Sequence, residues 1–500
     1  MTAMTPTTSQ FTALMTCQRL AGCHSLKDAT SLLQDEIAAQ ARGQSTPSQL
    51  RRMEVEIDSA DLVRWLAAQS SGERFYFRNR EGSLVVAGVG HAIAFDSGEG
   101  QSVAMDSPTK SSAPSTSGCN EPFCYHAHFF DASAVGRHAP EWSGFARSRV
   151  ILPILEMRRT NECVLAVHVV GNGSAALDAL EQCEPPLDHL KLPRGLQLNS
   201  DGDPVRWADG MDAALGAIAT GSIEKVVLAR TRGYSAIESI DPCAVLWGLM
   251  QEEPAAFHFM VEHSPGRAFV GASPERLFRR GGAFLQSEAI AGTCGRGPES
   301  ASDDRLAGRL LASDKNRREH EIVIRHVESV LSPMVTTLTR DDSPSVMRLR
   351  HVQHLMTVAT GTLARAIDDT TILRALHPTP AVCGWPVDAS REFIQQHERM
   401  CRGLYGGVIG VMSSSQSDYC VAIRSALIVG TEMTAYSGAG IVRGSDGDAE
   451  WLETARKLAS FDALIVRAAH EHHLSATSAA QAVGPTELSS HSRPRLVVGS

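Results

Sequence analysis

Short segments rich in Val, Phe, Ala and Tyr recur along the chain between runs of polar residues and breakers. Short apolar or alternating segments of this kind are typical of β-strands. They lie at 74–89, 164–170, 225–231, 256–261, 268–271, 406–412, 421–429 and 433–437.

A second set of segments repeats its apolar residues at helical spacing and predicts helices at 26–41, 206–219, 303–333, 388–402 and 448–469. Many strands follow one another, and the helices are inserted irregularly rather than after every strand. This order predicts an α+β fold with large, mostly antiparallel sheets, and it argues against a doubly wound sheet.

Breaker-rich stretches divide the chain into four regions. Residues 1–48 form a variable N-terminal extension. Residues 49–200 form the N-terminal part of the α+β unit, with a Ser-rich insertion at 95–118 that we expect to be exposed. Residues 201–470 hold the motifs described below, and 471–500 form a flexible tail.

Composition excludes several classes of protein. The net charge is −9, with 47 basic and 56 acidic residues, which argues against a nucleic-acid or anionic-membrane surface. No apolar stretch reaches the roughly 18 residues of a membrane span. Eleven scattered cysteines without a CxxC pair fit reduced thiols. We therefore expect a cytoplasmic protein with neither membrane nor nucleic-acid partners.

Two carboxylates and a lysine follow the glycine-rich stretch 436–440 (YSGAG) at helical spacing. Glu450, Glu453 and Lys457 lie at i, i+3 and i+7, so they share one helix face. We predict a glycine turn at 436–440, in which backbone N–H groups can approach an anion closely. Paired carboxylates suit Mg²⁺, which bridges to anionic substrates. The pattern indicates a metal-assisted site for a small carboxylic acid; a solvated Glu/Lys helix after a turn would show the same spacing.

A lysine and a glutamate stand at the ends of apolar segments. Lys225 begins the segment KVVLAR, where loss of water would favour a neutral amine that could act as a general base. Glu275 ends GASPE, where burial would make it a general acid. The alternatives are a lysine at a strand edge that reaches water and an exposed glutamate in a turn.

Three further residues could serve a site. Glu319, within the charged segment 314–321, could complete a metal site with Glu450 and Glu453, although a charged helix start is usually solvated. His354 could lie beside a substrate or be a hydrogen-bonded core histidine. Arg424 stands in an apolar segment, and a buried arginine needs an anion, either a substrate carboxylate or an internal one.

Taken in order, ten segments resemble the chorismate-utilising enzymes, which include anthranilate synthase large subunits and aminodeoxychorismate, isochorismate and salicylate synthases. The segments are KVVLAR, GASPE, AIAGT, NRREHE, VQHL, HPTPAVCG, LYGG, AIRSAL, YSGAGI and EWLETARK. The resemblance covers about residues 200–470, which makes 201–470 the chorismate-binding catalytic region. It implies the layered two-sheet α+β fold of that family, with the active site in a cleft between the sheets.

The resemblance also implies roles for individual residues. Glu319 and Glu453 match the family's Mg²⁺ ligands, with Glu450 in support, and Glu275 matches the acid that protonates the departing C4 hydroxyl. The residues matched to the substrate-binding positions are Gly292, Thr293, His354, Tyr405, Arg424, Gly438, Gly440 and Lys457.

Lys225 distinguishes the subfamilies, because the ammonia-using members carry glutamine there and a lysine resembles the members that activate water. We therefore expect an isochorismate synthase, an isomerase that adds water at C2 of chorismate while the C4 hydroxyl leaves. The alternatives are a salicylate synthase, which would also eliminate pyruvate, an anthranilate-synthase-like subunit and a non-catalytic chorismate-binding protein.

The resemblance further implies a monomer without a glutaminase subunit. Its product could feed salicylate, siderophore or menaquinone biosynthesis. Two positions depart from the family's pattern: Asn316 stands where relatives often carry an acidic residue, and Cys294 stands where arginine is usual.

Overall fold

The computed structural model describes residues 15–23, 25–43, 50–70, 72–97, 119–131 and 139–482. Most of the predicted Ser-rich insertion, and residues 483–500 of the predicted tail, lie outside them. The predicted division into four regions remains a prediction.

Twenty-three strands lie in the described residues: β1 (Thr16–Arg19), β2 (Arg51–Ile57), β3 (Arg74–Arg78), β4 (Val85–Val89), β5 (Ile93–Ser97), β6 (Cys124–His128), β7 (Ser148–Leu152), β8 (Leu155–Arg159), β9 (Cys163–Val169), β10 (Gln197–Ser200), β11 (Lys225–Ser235), β12 (Phe257–Ser264), β13 (Arg267–Ser273), β14 (Arg276–Gly281), β15 (Phe284–Gly295), β16 (Val335–Arg340), β17 (Ser345–Arg348), β18 (Val352–Leu363), β19 (Gly384–Trp385), β20 (Val408–Met412), β21 (Gln416–Val421), β22 (Ser425–Val429) and β23 (Glu432–Val442).

The α-helices of the same residues are α1 (Leu26–Gly43), α2 (Leu62–Ala68), α3 (Ser174–Glu181), α4 (Pro204–Ala219), α5 (Pro242–Glu252), α6 (Ser300–Ala312), α7 (Asp314–Leu331), α8 (Asp369–Leu376), α9 (Val387–His397), α10 (Gly447–Lys457) and α11 (Ala459–Ala482). Two short 3₁₀ turns lie at Pro140–Trp142 and Ser332–Met334. None of these helices is both long and apolar enough to cross a membrane.

The strands form two large sheets. The first has thirteen strands in the order β1-β2-β9-β8-β4-β3-β12-β13-β22-β23-β11-β10, with β19 also paired to β11. The second has ten in the order β16-β18-β15-β14-β21-β20-β6-β7-β5, with β17 also paired to β18. Apart from the parallel pair β1–β2, the neighbouring strands for which a register is described are antiparallel. The predicted α+β class with mostly antiparallel sheets is confirmed.

Two of the three buried apolar clusters contain residues of both sheets. One joins Val226 and Leu228 of the first sheet to Leu285 of the second. The other places Phe259 of the first sheet with Ile409 of the second. The remaining cluster covers the outer face of the first sheet with α1, α2 and α5. Burial of apolar surface therefore holds the sheets together as layers.

Two predicted helices are each divided in two. The segment predicted at 303–333 breaks at Ser313, whose hydroxyl accepts a hydrogen bond from the Asn316 N–H and so caps α7. The segment predicted at 448–469 breaks at Leu458, between α10 and α11. Helical spacing alone does not reveal such breaks, because the apolar face continues across them. The helix predicted at 26–41 is found at Leu26–Gly43.

Candidate functional site

The chain crosses between the two sheets at two neighbouring points. One crossing carries Glu275 between β13 and β14, and the other carries Arg424 between β21 and β22. The Val421 N–H donates to the Glu275 carbonyl at 3.0 Å, and the Ala272 N–H donates to the Arg424 carbonyl at 3.0 Å. These bonds hold the two crossings side by side, so both side chains start from one rigid frame.

A pocket opens beside the two crossings. Its cavity volume is about 60 Å³. Ten of the thirteen predicted site residues line it: Glu275, Gly292, Thr293, Glu319, His354, Tyr405, Arg424, Gly438, Gly440 and Lys457. The other three do not line it. Lys225 and Glu453 are ion-paired to the lining residues Glu319 and Lys457, and Glu450 is ion-paired to Lys315. The structure thus brings the predicted residues together.

A larger cavity of about 320 Å³ lies elsewhere, along the part of β11 between β10 and β19. It is lined by Trp207, Arg230 and Glu398, among other residues, and it contains none of the predicted site residues. This cavity is the larger of the two, but the convergence of charged and polar groups selects the smaller pocket as the candidate site.

Arg424 is not on a strand, as the sequence pattern predicted, but in the turn between β21 and β22 with φ +51°. A non-glycine residue in this region of backbone conformation is strained, and such residues cluster at functional sites. Arg424 is buried, and the described residues place no carboxylate within ion-pair distance of it. Its guanidinium is therefore available for an anion from outside the protein.

Arg424 is connected to Thr293 through His354. The Arg424 Nη2 donates to His354 Nε2 at 2.9 Å, and His354 Nδ1 lies 3.0 Å from Thr293 Oγ1. Burial, with the positive charges of Arg424 and Lys457, lowers the pKa of His354 well below its usual value. A neutral ring that accepts at Nε2 carries its proton on Nδ1 and donates to Thr293. The Thr293 hydroxyl can then donate its own proton to a ligand.

Burial raises the pKa of Glu275 to about 8. The negative charge of Glu288 adds to this effect, while the charges of Lys225 and Lys457 oppose it. Glu275 therefore carries its proton at neutral pH. A protonated carboxyl group in a pocket is the state that a general acid requires.

Lys225 begins β11 and is fully buried, with its Nζ 3.1 Å from Glu319 Oε1. Gly440 on β23 lies against this pair. A Cβ at position 440 would overlap Glu319 Oε1 and would lie 2.8 Å from Lys225 Cε. The glycine therefore makes room for the Lys225–Glu319 pair.

The predicted glycine turn at 436–440 is wrong, because these residues lie within strand β23. Gly438 makes room as Gly440 does: a Cβ there would lie 2.9 Å from the Tyr405 hydroxyl oxygen. Its carbonyl accepts a hydrogen bond from Lys457 Nζ at 2.9 Å. The Tyr405 ring stacks on Tyr436 with ring centroids 5.2 Å apart. The two glycines therefore admit side chains to the pocket; they do not form an anion-binding turn.

The three predicted metal ligands each pair with a lysine. Glu319 pairs with Lys225, and Glu453 accepts from Lys457 at 2.7 Å. Glu450 pairs with Lys315, which lies in the first turn of α7. In the described part of the chain, no three Asp, Glu, His or Cys side chains are close enough together to hold a metal ion. Each of the three carboxylates is therefore held by a lysine and not by the other two carboxylates.

The charges of these groups act on one another. Burial pushes the pKa of Glu319 upward, but the positive charges of Lys225 and Lys315 outweigh it and hold the pKa below its usual value. Burial and the negative charge of Glu453 raise the pKa of Glu450. Glu450 and Glu453 therefore repel each other, and the positive charge of Lys315 partly offsets this repulsion.

Sequence reasoning missed Lys315. It lies four residues before Glu319, so both side chains lie on one face of α7. This spacing was present in the segment 314–321, but the partner on α10 could not be read from it. Lys315 joins the helix of Glu319 to the helix of Glu450.

Comparison with known proteins identifies relatives of the whole chain. The family model for chorismate binding enzyme matches residues 36–466. The isochorismate synthase MenF of Escherichia coli strain K12 is 33% identical over 416 residues, 82% of this chain and 91% of the relative. The salicylate biosynthesis isochorismate synthase of Pseudomonas aeruginosa is 34% identical over 340 residues, 65% of this chain and 71% of the relative.

Two solved structures share the fold. That of MenF, the menaquinone-specific isochorismate synthase from Escherichia coli, has a TM-score of 0.75 at 30% identity and covers 88% of this chain and 99% of its own. Anthranilate synthase component I from Streptococcus pneumoniae has a TM-score of 0.60 at 21% identity, covers 75% of this chain and 91% of its own, and shows the fold alone. With its family model, its relatives and its two-sheet architecture in agreement, the chain belongs to the chorismate-binding enzyme family.

Proposed function

We propose that this chain is an isochorismate synthase, an isomerase that interconverts chorismate and isochorismate. One observation carries the proposal: the protonated Glu275 and the buried Arg424, which has no carboxylate partner among the described residues, line one pocket, and the buried Lys225 is ion-paired to Glu319 in its wall. Similarity to isochorismate synthases over most of the chain supports the same substrate.

Chorismate is a dianion, and the pocket offers it positive and neutral donors. Arg424 suits a carboxylate because its planar guanidinium donates two parallel hydrogen bonds. Thr293 donates through its hydroxyl. Lys457, whose Nζ donates to the Gly438 carbonyl, adds positive charge to the pocket. We assign these three residues, with Tyr405, to the two carboxylates of the substrate.

In the proposed reaction the ring exchanges one hydroxyl for another. Lys225 takes a proton from water as its oxygen bonds to C2, the ring double bonds shift, and the C4–O bond breaks. Glu275 gives its proton to the leaving hydroxyl, which departs as water. One water enters and one leaves, so the reaction is balanced and reversible.

Lys225 can act as the base only when its amine is neutral. In this arrangement its Nζ lies 3.1 Å from Glu319 Oε1, so the nitrogen is engaged by a carboxylate. We therefore propose that the Lys225–Glu319 pair separates before water is deprotonated.

Glu319, Glu450 and Glu453, here called the acidic cluster, have the donor chemistry that Mg²⁺ prefers, because all three are carboxylates and hard divalent cations prefer oxygen. We assign Glu319 and Glu453 as ligands and Glu450 as their support. When bound, Mg²⁺ would neutralise the ring carboxylate of the substrate and the charge that builds up on it. The chain's own contribution is to hold these carboxylates beside the pocket.

The test is to incubate the purified full chain with chorismate and Mg²⁺ and to separate the products by chromatography with mass detection. Isochorismate in equilibrium with chorismate, without pyruvate, is the expected result. Salicylate with equimolar pyruvate would instead identify a salicylate synthase. Anthranilate formed only with added ammonia would contradict the role of Lys225.

The variant Lys225→Ala tests the base directly. We expect turnover to fall by at least about 10³-fold while chorismate binding, measured by calorimetry, changes little. Lys191→Ala, at an exposed position, is the control and should keep full activity. Activity retained in Lys225→Ala would exclude the proposed base.

We also propose that the protein is a monomer that needs no glutaminase subunit. Light scattering during gel filtration measures the oligomeric state.

A further inference from the structure

Lys315 places a positive charge among the three carboxylates of the acidic cluster. Its Nζ donates to Glu450 Oε1, and the negative charges of Glu319 and Glu453 also act on it. Glu450 is almost fully buried, with 1% of its side chain exposed. The ammonium group therefore lies where a cation is needed.

From this geometry we infer that Lys315 is an internal counter-cation, which neutralises the acidic cluster when no metal is bound and leaves it when a divalent cation binds. The inference rests on the proposed function, from which it takes the metal. It assigns Lys315 a positioning role, since the lysine itself would not touch the substrate.

Charge balance supports the exchange. Glu319, Glu450 and Glu453 carry three negative charges, and Lys225, Lys315 and Lys457 carry three positive ones. A divalent cation added to this neutral group would repel all three lysines at short range. Binding is favoured if one lysine withdraws and frees a carboxylate oxygen.

Lys315 is the lysine placed to withdraw. Its side chain is 30% exposed, compared with 1% for Lys225 and 16% for Lys457. It projects from the first turn of α7, where a long flexible side chain can swing into water without moving the backbone. Lys225 and Lys457 stay within the pocket, where the proposed reaction uses them.

Acylation of lysines by an N-hydroxysuccinimide ester, read by peptide mass spectrometry, tests the exchange without substrate. We expect the labelling rate of Lys315 in the full chain to rise at least about fivefold when Mg²⁺ is added, because a paired amine reacts slowly. Lys27 is exposed and serves as the internal reference, which should not change. A Lys315 rate that stays constant or falls with Mg²⁺ would overturn the inference.

Calorimetric titration of Mg²⁺ into Lys315→Met and Lys315→Arg gives an independent measurement. Removing the competing charge should tighten Mg²⁺ binding about tenfold in Lys315→Met. Lys315→Arg keeps the charge and should remain close to the unmodified chain. Equal affinity in Lys315→Met and the unmodified chain would overturn the inference.

The results separate this inference from the proposed function. If isochorismate forms but Mg²⁺ leaves the labelling of Lys315 unchanged, only the exchange fails. If Mg²⁺ binds neither the unmodified chain nor Lys315→Met, both the metal assignment and the exchange fail.

Discussion

Glu275 is a carboxylic acid that burial keeps protonated, and this has a cost in stability. Its pKa is about 8 in the folded protein against an ordinary value of 4.5. Between these values the unfolded chain releases the proton while the folded chain retains it. The contribution of Glu275 to the free energy of unfolding therefore decreases as the pH rises from about 4.5 to about 8.

We expect Glu275→Gln to be inactive and yet more stable than the unmodified protein at pH 8, by on the order of a few kcal/mol. Glutamine does not ionise, so the gain should shrink toward pH 4.5. Urea unfolding at both pH values measures it. Glu321→Gln, at an exposed position on α7, is the control and should show no such dependence. A gain of equal size at both pH values would contradict the explanation.

The raised pKa of Glu275 also predicts the alkaline side of the pH–rate profile. Because Glu275 must be protonated to act as the acid, kcat/KM should fall above about pH 8. Initial rates of isochorismate formation between pH 6 and about 10 test this. A rate that stays constant through this range would remove Glu275 from the role of acid.

Arg424 predicts a change in substrate affinity. In Arg424→Lys the charge remains but the two parallel donors are lost, so we expect KM for chorismate to rise about 10- to 100-fold. Steady-state kinetics measures the change. Arg325→Lys is the control, because Arg325 is 53% exposed and lies on the outer side of α7. Unchanged KM in Arg424→Lys would place the substrate carboxylates elsewhere.

At the scale of elements, strand β23 passes close to the Lys225–Glu319 pair because it carries glycine there. Gly440→Ala should push the pair apart and lower kcat by about 10²-fold or more, with a stability loss of roughly 1–3 kcal/mol. Gly308→Ala in α6 is the matched control, because nothing lies within 4 Å of its added Cβ. It should be neutral or stabilising. Equal activity in the two variants would show that the close approach has no catalytic role.

The sequence predicted most elements but not the points at which they end. Apolar periodicity located β11, α4 and α9 to within a few residues. It could not separate β21 from β22, because Arg424 enters its left-handed turn only where the chain changes sheets. The sequence also predicted a turn at the glycines of β23. Glycine is common both in turns and in strands that other side chains approach closely, so composition does not distinguish the two.

At the scale of the whole molecule, the two sheets should unfold as one unit, because two of the three apolar clusters contain strands of both. Trp65, Trp142 and Trp207 each lie in a different cluster. We expect tryptophan fluorescence and far-ultraviolet circular dichroism to report the same urea midpoint. Two separated midpoints would indicate that one sheet unfolds independently.

The candidate site was largely predictable as a set of residues, because ten ordered motifs identified the family. Its arrangement was not. Glu319 and Glu450 pair with lysines that are distant in sequence, Lys225 and Lys315. The Glu453–Lys457 pair, by contrast, lies within one helix at the i, i+4 spacing that the sequence shows. Pairs between distant residues depend on tertiary packing, and the spacing of residues in a single sequence does not reveal them.

The backbone hydrogen bonds between the two crossings fix the side of the pocket that carries Glu275 and Arg424. The crossings of Glu275 and Arg424 are fixed to each other by hydrogen bonds between the sheets, and they cannot open like a loop. Helices α7 and α10 each contribute one lining side chain, Glu319 and Lys457, and the Lys315–Glu450 pair joins the two helices. We therefore expect any movement that accompanies substrate binding to occur on the side of α7 and α10 rather than at the crossings.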